Sequence, residues 1–344
     1  MYLKGLFSNG AEDKRGRMSN IAASPGRVTV GPLQVMVRKE IGDLVRSRRF
    51  LVLLGLIVLT FFGSLYVSLS NIHAITGNTR DPDRNLLYLK LLTSTDGSLP
   101  SFYGFMSFLG ALLGIGLGFD AVNSEQSNRT LIQLLAQPVY RDNILLAKFI
   151  APLVVVTVLF CSLSLSMVGA GLIITGVYIE WMEVFRILIF VLLTVCYVTF
   201  WLSLSIFFSI KVKQAASSAL CVLAIWLFFT VFYRLIVQLI AKAFFPDPAF
   251  LSQEEIVGYG NIVRDMLRFS PSQLYTDATT VMLMPSIRSL GPLTMEQVAG
   301  AIPAPLPLRE SVLIVWPQLS GLLAGTMLCF AFSYQGFMRK EIRS

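Results

Sequence analysis

The stretch FDAVNSEQSNRTLIQLLAQPVYRDNILLAK, residues 119–148, separates two long apolar runs and gathers charged and polar residues in one place. Its charges are Asp120, Glu125, Arg129, Arg141, Asp142 and Lys148. Carboxylates and cations at this spacing suit ion pairing and recognition, and no His or Cys stands among them as a base or nucleophile. Leu131, Leu134 and Leu135, preceded by Thr130, follow the i, i+3, i+4 spacing of one helical face. Pro138 ends that helix, because its ring removes a donor and disfavours helix in Gln137. Asp142 is placed to cap the next helix. A short amphipathic helix of this kind either lies on lipid or docks as a peg in a groove of a soluble partner.

Catalytic constellations are absent elsewhere in the sequence. The single histidine, His73, is isolated at the end of an apolar run, so a surface or interface role is expected. Cys161, Cys196, Cys221 and Cys329 all fall inside apolar runs without CxxC or Cys/His spacing, which reads as packing thiols and not as a zinc site. No GxxxxGK[ST] phosphate loop occurs, so this chain does not bind ATP in that way. No cofactor or metal is expected on it. Arg234, far along an apolar run, either snorkels to the outer interface or contacts an anionic group or outer gate. Thr194, Tyr197, Thr199, Ser203 and Ser205 do not share one helical face, and either line a path or serve packing and backbone hydrogen bonding.

The elements that hold these residues are membrane helices. Of 344 residues 55% are apolar and 14% charged, with a mean hydropathy of +0.69, against about 25% charged in soluble domains. Six runs are long enough to span a bilayer, at about 50–70, 102–119, 150–175, 184–209, 215–240 and 311–333. An all-α polytopic protein follows. Gly110 and Gly114 in the second run form a GxxxG pair, suited to close helix approach. With six spans both termini share a side with segment 120–149, and that side carries 18 of the 28 basic and 8 of the 20 acidic residues. Basic excess marks the cytoplasm, so a multi-pass plasma-membrane protein with both termini cytoplasmic is expected. The overall charge of +8 then reflects topology and contact with anionic lipid, not nucleic acid.

Three further regions complete the organisation. Residues 1–31 are polar, with no apolar period, and read as a mobile tail. Residues 32–49 begin with Pro32 and place Leu33, Met36, Val37, Ile41 and Leu44 on one face of an interfacial helix. Glu40 falls on that apolar face, either snorkelling from its edge or pairing with an Arg on a neighbouring helix. Residues 241–310 form an extracytoplasmic cap of two or three short helices, lying on or dipping into the outer leaflet. Ser252 with Glu255 and Thr294 with Gln297 resemble capping boxes, and Ser272 is a further cap candidate. The 71–101 loop is modest, and no internal repeat is visible.

Taken together, these stretches resemble the permease subunits of type 2 ABC transporters. The pattern acidic, Glu, Thr-Leu, Leu-Leu, Pro, Arg, Lys of that family's cytoplasmic coupling region is matched by Asp120, Glu125, Thr130, Leu131, Leu134, Leu135, Pro138, Arg141 and Lys148. VRKEIGDLVRSRRF, with Lys39, Glu40 and Asp43, is similar to its elbow helix, and FMRKEIR to its usual ending. FSPSQLYTDATTVML and VWPQLSGLLAGTMLCFAFSY also resemble its single-domain permeases, so the likeness spans most of 32–343. Arg129 departs from the Gly that many relatives carry before Thr-Leu. The resemblance implies an exporter permease that forms the translocation pathway. It also implies a separate ATP-binding subunit using ATP and Mg, and a second permease copy, identical or sister. A membrane anchor that recruits a cytoplasmic protein, and an ion-coupled secondary transporter, are the competing expectations.

Overall fold

A computed structural model of the chain describes residues 31–70, 86–94, 100–127, 140–244, 252–287 and 305–339. Every regular element among these is helical: α1 (Pro32–Val45), α2 (Arg48–Ser70), α3 (Leu87–Thr93), α4 (Phe102–Gly118), α5 (Asn123–Ser127), α6 (Arg141–Thr175), α7 (Trp181–Lys211), α8 (Ala215–Phe244, with a π-helical stretch at Phe228–Phe232), α9 (Gln253–Leu267), α10 (Pro271–Leu283) and α11 (Leu308–Met338). Six stretches, α2, α4 continued through α5 (Phe102–Ser127), α6, α7, α8 and α11, are long and apolar enough to cross a membrane. That agrees with the six runs in the sequence, although α6 starts nine residues earlier, so Arg141 and Lys148 belong to the helix itself. The N-terminal segment divides into α1 and the start of α2 at Arg48.

Helix α7 is the axis of the fold, with α4, α6, α10 and α11 packed around it. Its polar residues serve that packing. The hydroxyls of Thr194 and Thr199 donate to the carbonyls of Phe190 and Val195 in their own helix, and Ser205 donates to Ile115 of α4 at 3.1 Å. The glycines of α4 allow its approach. A Cβ on Gly114 would lie 2.5 Å from the carbonyl oxygen of Val198, and one on Gly118 would lie 2.8 Å from Cβ of Ser205. The GxxxG pair therefore extends to Gly118 and works within this chain, joining α4 to α7.

Two regions differ from the sequence expectation. The 71–101 loop contains α3, whose Leu87 to Leu92 are all buried. Glu183, in the first turn of α7, accepts from the Tyr88 backbone N–H at 2.9 Å and so caps α3 from the side. The Tyr88 hydroxyl donates to the Val177 carbonyl at 2.5 Å. Glu183 is thus a buried carboxylate at the edge of a span, a position the sequence reading left outside its fourth run. The second region is the cap, where α9 and α10 form a hairpin that dips far into the bundle. The Ser272 and Thr194 side chains show it: Ser272 Oγ lies 3.1 Å from the Tyr197 hydroxyl, and Thr194 Oγ1 lies 3.0 Å from that of Tyr275. The rings of Tyr197 and Tyr275 stack at 4.5 Å. Tyr197 is midway along α7, so the start of α10 lies roughly 24 Å from the α7 N-terminus, at about 1.5 Å per residue. The Ser252–Glu255 capping box is formed. Ser272 is no cap, since Ser270 holds that place and Pro271 opens the helix, and its hydroxyl turns to Tyr197 instead. Thr294, Gln297 and His73 lie outside the described residues.

Candidate functional site

The sequence-selected charges converge where α1, α5 and α6 meet, at the end of the bundle that holds the start of α2 and the end of α11. Helix α1 lays its apolar face, with Met36, Ile41 and Leu44, against the bundle and packs along α6. Glu40 on that face is carried inward with it. Lys148, one turn before Pro152 in α6, is 6% exposed and reaches two carboxylates: Glu125 Oε1 at 2.7 Å and Glu40 Oε1 at 3.4 Å. The partner of Glu40 is therefore a lysine, where the sequence suggested arginine. A second ion pair joins Arg49 of α2 to Asp120, just past α4. The Arg49 guanidinium also lies 5.0 Å from the centre of the Phe119 ring.

Asn123 completes the arrangement. Its buried side-chain carbonyl accepts from Ser209 Oγ at 3.0 Å, and its amide nitrogen donates to the Val212 carbonyl at 3.3 Å. Ser209 Oγ in turn accepts from the backbone N–H of Val122 at 2.9 Å. This clasp ties the start of the interspan segment to the last turn of α7. Sequence reasoning passed over both residues. The signal was there in part: Ser209 interrupts an apolar run, and Asn123 stands in a turn, but nothing in the order of residues pairs positions 86 apart.

Five of the chosen residues, Asp120, Glu125, Lys148, Glu40 and Asp43, thus line one cavity of about 480 Å3, together with Ser47 and Ser124. Lys39 is exposed and approaches Asp43, on the open rim of that cavity, at 3.9 Å. Arg141 is exposed at the first turn of α6, away from the cluster, and the N-cap of α6 is Tyr140, with Asp142 in the first turn. Thr130, Leu131, Leu134, Leu135 and Pro138 lie outside the described residues. Chemically, the cluster holds ionic and hydrogen-bonding groups without a nucleophile. Among the described residues no group of three His, Cys, Asp or Glu side chains is arranged for a metal. Its capacity is mechanical: one buried ammonium links a surface helix, an interspan segment and a membrane helix.

A sequence model of the ABC-2 family transporter proteins matches residues 34–342. The chain belongs to that family. A comparison with curated proteins gives no significant match. As an ABC-2 permease the chain is a membrane transport component and not itself a catalyst, and its cluster lies at the segment that resembles the family's coupling region. Arg234 is placed elsewhere. Its guanidinium donates to Gln273 Oε1 of α10 at 3.0 Å, so it is held by the inserted hairpin and does not extend along α8.

Proposed function

We propose that this permease is the membrane-spanning subunit of an ATP-driven exporter, coupled through residues 120–149 to a separate ATP-binding subunit that uses ATP and Mg. The observation that carries this reading is the Lys148–Glu125–Glu40 cluster. A segment that receives force from a partner must be tied to the helices it moves. Here the tie is ionic to α1 and α6, and hydrogen-bonded through Asn123 to α7. Closure of a dimeric ATPase would pull on Glu125 and Asp120, and the buried ammonium would pass that displacement to α6. Two permease copies, identical or sister, would enclose the pathway. Both termini face the cytoplasm in this reading, as the basic excess on their side requires.

Purification of the permease from native membrane in mild detergent tests the reading. An ATP-binding protein is expected to co-purify in a stoichiometric ratio, with hydrolysis lost when Mg is chelated. A homogeneous permease that carries no ATPase, from membranes in which it is functional, would remove ATP coupling and favour the anchor or ion-coupled alternatives.

A further inference from the structure

The hairpin brings a concentration of charge to mid-depth on the outer side of the bundle, where α9 packs on α8. Its turn follows α9 at Arg268, and Ser270 Oγ lies 3.4 Å from the Phe229 carbonyl of α8. Arg268 Nη1 pairs with Asp265 at 3.0 Å, and Arg264 Nε approaches the same oxygen at 3.9 Å. Arg234 of α8 donates to Gln273, whose amide donates to Asp277 Oδ1 at 2.6 Å. Arg234 is thereby linked through Gln273 to Asp277, whose carboxylate also lies in the field of Arg264 and Arg268 without a direct bond to either. That carboxylate is 8% exposed, and its Oδ2 accepts no hydrogen bond, while the Nε groups of Arg264 and Arg268 are buried without an acceptor. Three cations thus face two carboxylates. The N-terminus of α10, a helix of 13 residues whose N-cap offers no side-chain acceptor, adds the positive end of its dipole at the same depth.

Hydrocarbon does not tolerate such a group at mid-depth. The face shared by α8 and α9, where Arg234 is exposed, therefore borders water or protein, not lipid tails. Beside the charges stand exposed apolar side chains: Phe232, Leu235 and Phe269. Planar cationic forks next to an apolar wall match a ligand with one anionic oxyacid head and an apolar body.

We propose that Arg234, Arg264 and Arg268 form the cargo-recognition site of the transport pathway and that the cargo is an amphipathic anion with a carboxylate, phosphate or sulfate head. The assignment rests on the reading of the chain as a transport permease. Asp265 and Asp277 hold the forks in place and keep the empty site near neutrality, and the incoming anion displaces Asp265 as the partner of Arg268.

The test uses the full-length permease in nanodiscs of zwitterionic lipid, titrated with dodecyl phosphate and compared with empty nanodiscs. Saturable binding above bilayer partitioning is expected. Arg264→Gln with Arg268→Gln is expected to weaken it about tenfold or more, the loss of at least one charge-assisted hydrogen bond. Asp265→Asn, which frees Arg268, is expected to tighten it, and Arg264→Lys with Arg268→Lys, which keeps the charge without the planar fork, to weaken it less than the double Gln variant does. Inorganic phosphate is expected to bind far more weakly than dodecyl phosphate, which separates an amphiphile from a free-anion site. Equal saturable binding of dodecyltrimethylammonium, or dodecyl phosphate binding unchanged in both the double Gln variant and Asp265→Asn, overturns the proposal. So does a shift from dimer to monomer by light scattering in the double Gln variant with binding intact, which makes the cluster a contact between copies. No ATPase is present in this measurement, so its failure leaves ATP coupling standing, and failure of ATPase co-purification leaves the binding result standing.

Discussion

Lys148 bears the heaviest electrostatic duty of any residue in its cluster with Glu40 and Glu125. Its ammonium is buried between two carboxylates that are themselves 15% and 18% exposed. Removing it takes from Glu40 and Glu125 the buried ammonium they share, and breaking a buried pair in this way costs about 3–5 kcal/mol. Lys148→Met is therefore expected to lower the melting temperature of the detergent-solubilised permease and to abolish ATP-driven transport. The two effects can be separated. A triple variant, Lys148→Met with Glu40→Gln and Glu125→Gln, removes every charge together and should regain most of the lost thermal stability, because neutral side chains of similar volume replace the buried ions. Under the proposed coupling, transport should not return with it, because the ionic tie between the interspan segment and α6 is then missing. Recovery of both by the triple variant would make the cluster a staple and nothing more.

Among the elements, the α9–α10 hairpin depends on an anchor far from its turn. Arg186 of α7 is fully buried, and its guanidinium donates to the Met282 carbonyl at 3.1 Å, the Leu306 carbonyl at 2.6 Å and Ser311 Oγ at 3.2 Å. It thereby fixes the end of α10 to the start of α11. Arg186→Leu leaves those acceptors buried without donors, at about 1–3 kcal/mol each. Hydrogen exchange should then rise across 271–283 while α4 and the middle of α7 stay protected; uniform exchange across all helices would mean that the anchor holds the whole bundle. This element also shows what a sequence discloses and what it withholds. The spans are legible because a run of about 20 apolar residues has one stable solution in hydrocarbon. The packed face of α1 was equally legible from its period, Glu40 included. Helix α3 was not, because its seven residues are too few for a periodic signal and its burial depends on Glu183, 95 positions from Tyr88. The depth of the hairpin was hidden for the same reason: a capping box marks where a helix begins, whereas the stacking of Tyr275 on Tyr197 decides how far it sinks.

For the whole molecule the first question is which way it faces. Basic residues gather at Arg46 to Arg49, at Lys211 and Lys213, and at Arg339 to Arg343, all on the side of the termini. Single cysteines at positions 211 and 260, in a background lacking Cys161, Cys196, Cys221 and Cys329, are expected to react oppositely with an impermeant maleimide added to intact cells. Position 260 should label and 211 should not; the reverse pattern would invert the topology and place the Lys148 cluster outside. The second question is what assembles on that face. The segment between Ser127 and Tyr140 carries the ridge of Leu131, Leu134 and Leu135, and it joins two elements already tied to the cluster, α5 through Glu125 and α6 through Lys148. A docking helix needs apolar side chains to bury, and truncating a buried Leu to Ala costs about 2–5 kcal/mol. At about 1.4 kcal/mol per tenfold in affinity, Leu131→Ala with Leu134→Ala should weaken ATPase association by several orders of magnitude. A ridge that serves a partner under the proposed coupling leaves the packing of the bundle untouched, so the variant should stay inserted and monodisperse in detergent. Pull-down of the ATP-binding subunit measures the loss directly. Undiminished association, with full ATP-driven transport, would show that the partner grips the permease elsewhere and that the leucine ridge rests on lipid.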